Sequence, residues 1–231
     1  MSAPTATASL GDAYERALST RTGPLVLQDL GRVRVVRMDV DRFLGEADDV
    51  DTALAGALPG PVLDVGCGPG RMVRAALDAG HAALGVDVSR AAVSIARRRG
   101  LPVLHGSVFD ALPAEGEWGS ALLMDGNIGI GGDPESLLRR CADLVRSGGR
   151  IVIETHRTAR RDHRFEGMLR DDVGPSATAF PWAEVGTIPL RRHAAAAGLE
   201  MVREWRAARR RFAEYVRPPD GPELVSDATG G

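Results

Sequence analysis

The chemistry written in this chain is carried by three closely spaced glycines, two acids and an apolar run that leads into them. In Val62-Leu63-Asp64-Val65-Gly66-Cys67-Gly68-Pro69-Gly70-Arg71, the residues Val62, Leu63 and Val65 have the character of a parallel strand buried on both faces. Gly66, Gly68 and Gly70 lack a Cβ, so a ligand can approach the backbone closely. A helix over residues 71–78 then aims free N–H groups and the positive end of its dipole at the same place. Such a corner suits a polar or anionic part of a small molecule. Twenty-one residues beyond Gly66, Asp87 ends a second strand over residues 82–86. A carboxylate there can accept hydrogen bonds from both ribose hydroxyls of a nucleoside.

The spacing narrows the ligand. A dinucleotide fingerprint reads G-x-G-x-x-G, but here the third glycine follows the second by two residues and Arg71 stands where that fingerprint wants glycine. With Asp64 and Asp87, the segment resembles the class I S-adenosylmethionine-dependent methyltransferases, marked by a strand-borne D-x-G-x-G-x-G and an acid ending the second strand. The resemblance covers roughly residues 60–156. It implies that the backbone of Gly66, Cys67, Gly68 and Gly70 faces the methionine part of S-adenosylmethionine, and that S-adenosylhomocysteine is the product. Asp64 then holds the loop or the ammonium group, Asp87 the ribose, and Val88 packs on adenine. Family members usually read the adenine amino group with an acid after the third strand. Ser107 stands there instead, which leaves the reading to its hydroxyl, to the backbone of Ser107 and Val108, or to Asp110. Asp125 ends the fourth strand, where the amino acid end of the cofactor meets the acceptor. Cys67 reads as a small filler rather than a nucleophile.

Methyl transfer from a sulfonium needs an acceptor atom held in line and water excluded. An oxygen or nitrogen acceptor can also require proton removal. The candidates are His156 and Asp125, both at strand ends; His81, His105, His163 and His193 have weaker claims. Arg157, Arg160, Arg161 and Arg164 form an arginine-heavy stretch suited to an anionic acceptor or to a solvated face. The resemblance implies a reaction that moves a methyl group to an O, N or C atom of a small-molecule acceptor, as in specialised metabolism. Two other readings stay open. One is a methyltransferase-like scaffold that binds the cofactor without catalysis, permitted by Ser107 and the absence of a clear base. The other is an NAD-dependent oxidoreductase, disfavoured by Arg71 and the glycine spacing.

Composition bounds the partners. The net charge is −2 and every formal cation among Lys and Arg is arginine, so there is no basic excess to favour nucleic acid. Cys67 and Cys141 are the two cysteines, with no C-x-x-C and no histidine cluster nearby. A disulfide framework or a metal site is not expected, and a reducing cytoplasmic setting is. No apolar run approaches a membrane span, and oligomeric state is not readable.

The elements that must position these residues alternate strand and helix from residue 60 to residue 154. This implies an α/β fold: a Rossmann-like doubly wound sheet, mostly parallel, with helices on both faces. Two alternating stretches, residues 200–206 and 210–216, suggest a C-terminal antiparallel strand pair. Residues 1–10 read as a disordered N-terminus and residues 11–58 as a helix and hairpin addition that covers the site. Residues 59–217 read as the cofactor-binding domain, and residues 218–231 as a disordered tail. A helix is expected over residues 49–58, with further strands over residues 101–105, 119–124 and 150–154. A helix starting at Asp133-Pro134 should run to Gly148-Gly149. Residues 157–180 read as loop or short helices, and residues 182–197 as a helix.

Overall fold

The computed structural model describes residues 12–20, 24–32 and 34–219. In chain order they form α1 (Asp12–Thr20), β1 (Leu25–Asp29), β2 (Arg34–Met38), α2 (Val40–Leu44), α3 (Asp49–Gly56), β3 (Val62–Val65), α4 (Arg71–Asp78) and β4 (Ala83–Asp87). There follow α5 (Arg90–Arg98), β5 (Val103–His105), β6 (Trp118–Leu123), a 3₁₀ turn (Asn127–Gly132), α6 (Pro134–Leu144), β7 (Val145–Thr155), β8 (Asp162–Arg170) and β9 (Phe180–Val185). The chain closes with α7 (Thr187–Ala196), β10 (Glu200–Ala207) and β11 (Arg210–Val216).

Seven strands make the central sheet in the order β10-β11-β7-β6-β3-β4-β5. The five from β5 to β7 are mutually parallel, and β11 and β10 add antiparallel to the β7 edge. This is the expected α/β doubly wound sheet with its C-terminal antiparallel pair. Alternate side chains of β3 point to opposite faces. Leu63 and Val65 join one layer with Leu137, Leu138 and Leu190 of α6 and α7. Val62 joins the other with Leu54 of α3 and Met72 of α4, and Asp64 shares that second face. The chain lays down β3, β4 and β5 in one direction, then returns to β6 and β7 on the other side of β3. The order therefore reverses between β3 and β6, where ligands of such sheets settle outside the carboxyl ends of the strands.

A second sheet, entirely antiparallel and ordered β2-β1-β8-β9, was not foreseen in this form. The β1–β2 hairpin was expected from the turn over residues 29–32. Its partners β8 and β9 correct the expectation of loop or short helices over residues 157–180. In β8, His163, Phe165, Gly167 and Leu169 turn inward while Asp162, Arg164, Glu166 and Arg170 turn outward. The period of two is present, but a histidine and a glycine on the inner face hide it from an apolar pattern. Trp182 likewise belongs to β9 rather than to a helix. The helix begins only at Thr187, after Gly186, whose backbone packs so closely on the Thr158 carbonyl that a Cβ would lie 2.2 Å from it. Helix α6 ends at Leu144, not at Gly148-Gly149, because β7 already starts at Val145.

Local signals explain the remaining helix ends. Ser89 caps α5 by accepting the Ala92 N–H at 3.2 Å. Asp48 and Asp51 form a reciprocal capping box on α3, a motif that satisfies two orphan donors. The N-terminus of α4 has no side-chain cap, its first position being Gly70 in the left-handed region, so its free N–H groups face the glycine turn. The expected disordered segment over residues 1–10 lies outside the described residues, as does the tail beyond residue 219.

Candidate functional site

The turn after β3 is built by backbone geometry. Gly66 has φ of 71°, and a Cβ there would sit 2.6 Å from the Asn127 amide nitrogen. At Gly70, φ is 90° and a Cβ would meet Leu101 at 2.4 Å. Both positions therefore require glycine on conformational and steric grounds together. Cys67 fills space against Gly85, where an added Cβ would lie 2.5 Å from its sulfur. Burial pushes its thiol well above the usual range, and nearby Asp87 and Asp64 reinforce this. A thiol so protonated is no nucleophile.

Asp87 ends β4 and ties the turn to the next helix. One carboxylate oxygen accepts the Gly68 N–H at 2.7 Å and the other the Ser89 N–H at 2.7 Å. Burial raises its pKa, and these two bonds pull it back. A carboxylate offers about four lone-pair sites, so two backbone donors leave acceptor capacity on each oxygen. Val88, partly exposed, presents its carbonyl to the His105 ring at 3.1 Å. Across the opening, Tyr14 of α1 is buried, with its hydroxyl 3.5 Å from where a Gly68 Cβ would be. Burial, and after it the charge of Asp87, holds that hydroxyl protonated. After β5, the Ser107 N–H donates to Asp110 at 3.0 Å and the Ser107 hydroxyl accepts the Phe109 N–H at 3.2 Å. Asp110 thereby closes its own turn with one carboxylate oxygen. Buried Val108 gives its carbonyl to Arg140 at 2.8 Å.

Below the turn lies a charged network that the sequence did not announce. Asp51, with no exposed surface, pairs with Arg71, with Arg210 at 2.6 Å and with Arg42 at 3.2 Å. Arg71 and Arg42 also grip Asp125, the latter at 3.1 Å, and Arg210 bonds Glu154 at 2.7 Å. Burial alone would raise the Asp48 carboxyl, yet Arg42 and the Asp51 N–H hold it down at about 2. Asp125 takes φ of 52°, an uncommon conformation that Asp tolerates, and its N–H donates to Glu154 at 3.1 Å. Two residues on, the Asn127 amide donates to the carbonyls of Val65 and Gly66 at 2.8 and 2.9 Å. Asp64, beneath the turn, is pushed up to about 7 by burial despite the nearby Arg71; Asp125, Asp87 and Asp51 add to the rise.

His156 follows β7 on the same carboxyl edge of the sheet. Its backbone N–H bonds the Val185 carbonyl at 2.8 Å, and its Nδ1 accepts the Thr158 N–H at 3.0 Å. Burial lowers its pKa, and Glu184, Arg161 and Arg34 are its charged neighbours. The structure therefore brings Asp64, Gly66, Cys67, Gly68, Gly70, Asp87 and Asp125 to one crevice at the β3/β6 reversal, with Val88, Ser107 and Val108 along its β4–β5 side. His156 follows the carboxyl end of β7, two residues beyond the Glu154 that accepts the Asp125 N–H, and lies beside the second sheet.

Residues 38–204 match the family described as a methyltransferase domain. The chain belongs to that family. Two ubiquinone biosynthesis O-methyltransferases resemble this chain over part of its length. That of Bordetella avium is 36% identical over 110 residues and that of Bordetella bronchiseptica 33% over 109 residues. Each match covers 44% of this chain and 45% of the relative, so it spans less than half of either relative's length. Among solved structures, a SAM-dependent methyltransferase from Bacteroides fragilis in complex with S-adenosyl-L-homocysteine superposes with a TM-score of 0.71 at 18% identity. The superposition covers 92% of this chain and 96% of that one. The CcbJ methyltransferase from Streptomyces caelestis gives 0.62 at 16% identity, over 93% and 100%. At these identities the likeness speaks for the fold, the Rossmann-like α/β sheet described above. Among the described residues, no helix is long and apolar enough to cross a membrane.

Proposed function

We propose that this methyltransferase moves a methyl group from S-adenosylmethionine to an O, N or C atom of a small-molecule acceptor. The single observation that carries the reading is Asp87, held by the Gly68 and Ser89 N–H groups with acceptor capacity to spare at the mouth of a turn whose Gly66 and Gly70 admit no Cβ. In this reading Asp87 takes the ribose, Val88, Ser107 and Val108 line the adenine, and Gly66, Cys67, Gly68 and Gly70 receive the methionine end. Asp64 holds its ammonium group. When bound, the cofactor supplies an electrophilic methyl on a sulfonium. The chain's part is to hold an acceptor in line and exclude water, with α1 and Tyr14 as cover. Asp125, gripped by Arg42 and Arg71, is a positioning group rather than a base. His156 has one ring nitrogen occupied and stands as an acceptor-positioning group through Nε2. The buried free thiols of Cys67 and Cys141 favour a cytoplasmic setting.

Calorimetry with S-adenosylhomocysteine tests the cofactor, and transfer of labelled methyl to a metabolite extract separates an enzyme from a silent scaffold. Binding of NAD in place of S-adenosylhomocysteine would reverse the reading.

Asp64 gives this binding a direction with pH. With its pKa at about 7, the carboxyl is half protonated at neutrality, and a cationic ammonium beside it favours the charged form. Affinity for S-adenosylhomocysteine should therefore rise as pH increases from about 6 to about 8, by up to tenfold per unit below the pKa, with release of a proton on binding. Titrations in buffers of different ionisation enthalpy detect that proton. Asp64→Asn should flatten the profile; a flat wild-type profile would detach Asp64 from the ammonium.

A further inference from the structure

The inner face of the second sheet carries a histidine–carboxylate pair that the reading above does not use. Asp29, at the end of β1, is buried, and its Oδ2 lies 2.7 Å from Nε2 of His163 on β8. Its other oxygen accepts the Gly31 N–H at 2.9 Å. The imidazole lies flat on Phe165, with ring centroids 5.1 Å apart and planes 15° from parallel. Among the described residues Nδ1 has no protein partner, and the side chain is only 15% exposed. The other charges at this end of the sheet are largely engaged with one another. Glu184, directly across from His163 in the register, is shared between Arg34 and Arg161, and Arg32 lies near Asp29. Among the described residues the side chain that hydrogen-bonds Asp29 is His163, while Arg32 adds only a longer-range positive charge. A carboxylate on one ring nitrogen fixes the N–H there and leaves the lone pair on the other, the arrangement of a general base with its orienting group.

An aromatic wall joins this pair to the glycine turn. Phe165 opposes Trp182 in the register, and both pack in one cluster with Tyr14 and Phe180. The Trp182 ring approaches Gly129 so closely that a Cβ there would lie 2.7 Å from it. Gly129 follows Asn127, whose amide bonds Gly66, and Tyr14 reaches Gly68 at the other side.

We propose that His163, oriented by Asp29, is the base for a planar aromatic acceptor with an acidic hydroxyl, a phenol, that lies along Phe165 and Trp182. This rests on the methyl-transfer reading. The phenol O–H breaks and its proton passes to Nδ1. The oxygen forms the new C–O bond to the methyl carbon, and the electron pair of the breaking C–S bond stays on sulfur in the product thioether. Asp29 holds the charge of the resulting imidazolium and is a positioning residue.

The test uses the full chain saturated with S-adenosylhomocysteine and 4-nitrophenol as the probe, whose ionised form absorbs visible light. Wild type should bind the probe and lower its apparent pKa by about one unit relative to free probe. His163→Gln and Asp29→Asn should return it to the free value, and His163→Gln should lower kcat for a phenol acceptor by about 10²-fold or more. Melting curves report whether each variant is folded, and the partly exposed His163 position keeps the test available if Asp29→Asn unfolds. Equal ionisation in wild type and folded His163→Gln, or no binding of the probe to the loaded protein, overturns the proposal. Failure of S-adenosylhomocysteine itself to bind is a separate result; it removes the methyl-transfer reading and this inference with it.

Discussion

Replacing Asp87 with Asn should weaken S-adenosylhomocysteine binding by about 10²-fold, close to 2.8 kcal/mol at 1.4 kcal/mol per factor of ten. Two losses combine. The carboxylate now satisfies the Gly68 and Ser89 N–H groups with one oxygen each. An amide has one oxygen, so its NH₂ must face one of those donors, and the unsatisfied group costs about 1–3 kcal/mol. The charge-assisted bonds to a ribose diol are lost as well. Gly68 lies in the turn itself, so the damage spreads from the ribose toward the methionine end. Circular dichroism should show an intact fold, and calorimetry the lost affinity. Unchanged affinity would take Asp87 out of the ribose site.

The second large effect belongs to stability. Asp51→Ala should lower the unfolding free energy by about 3–5 kcal/mol, the cost of breaking a buried ion pair from one side. Asp51 has no exposed surface and meets Arg42, Arg71 and Arg210 together. Without it, Arg71, itself almost wholly buried, keeps Asp125 alone, and α3 loses half of its capping box. For a chain of this size about 2–4 °C accompanies each kcal/mol, so the melting temperature should fall by roughly 6–20 °C. A fall of less than about 3 °C would mean that water replaces the missing carboxylate and the network contributes little.

What the sequence disclosed follows from how local each signal is. The β3 turn, helix α4 over residues 71–78 and the central sheet rest on adjacent residues or on simple alternation, and all were legible. The cofactor-side residues were gathered by strand ends alone. The network around Asp51 was not legible, because its members come from positions 42, 48, 51, 71, 125, 154 and 210 and only the fold makes them neighbours. The same holds for Asp29 and His163, separated by more than a hundred residues in the chain yet 2.7 Å apart in space. Strand β8 was missed because polar and glycine residues occupy inward positions, so the apolar count fell while the period of two survived.

The shared family region begins at residue 38, where β2 ends. Cutting the chain at that border would therefore be a poor way to isolate its catalytic core. Strand β8 would lose β1, the neighbour that hydrogen-bonds it along residues 167–170, and Leu169 and Phe180 would lose Leu25, Leu27 and α1 from their cluster. A bare strand edge beside freshly uncovered apolar side chains is a template for aggregation. The leading segment and the β8–β9 pair are halves of one sheet, and the start of the family match falls between them.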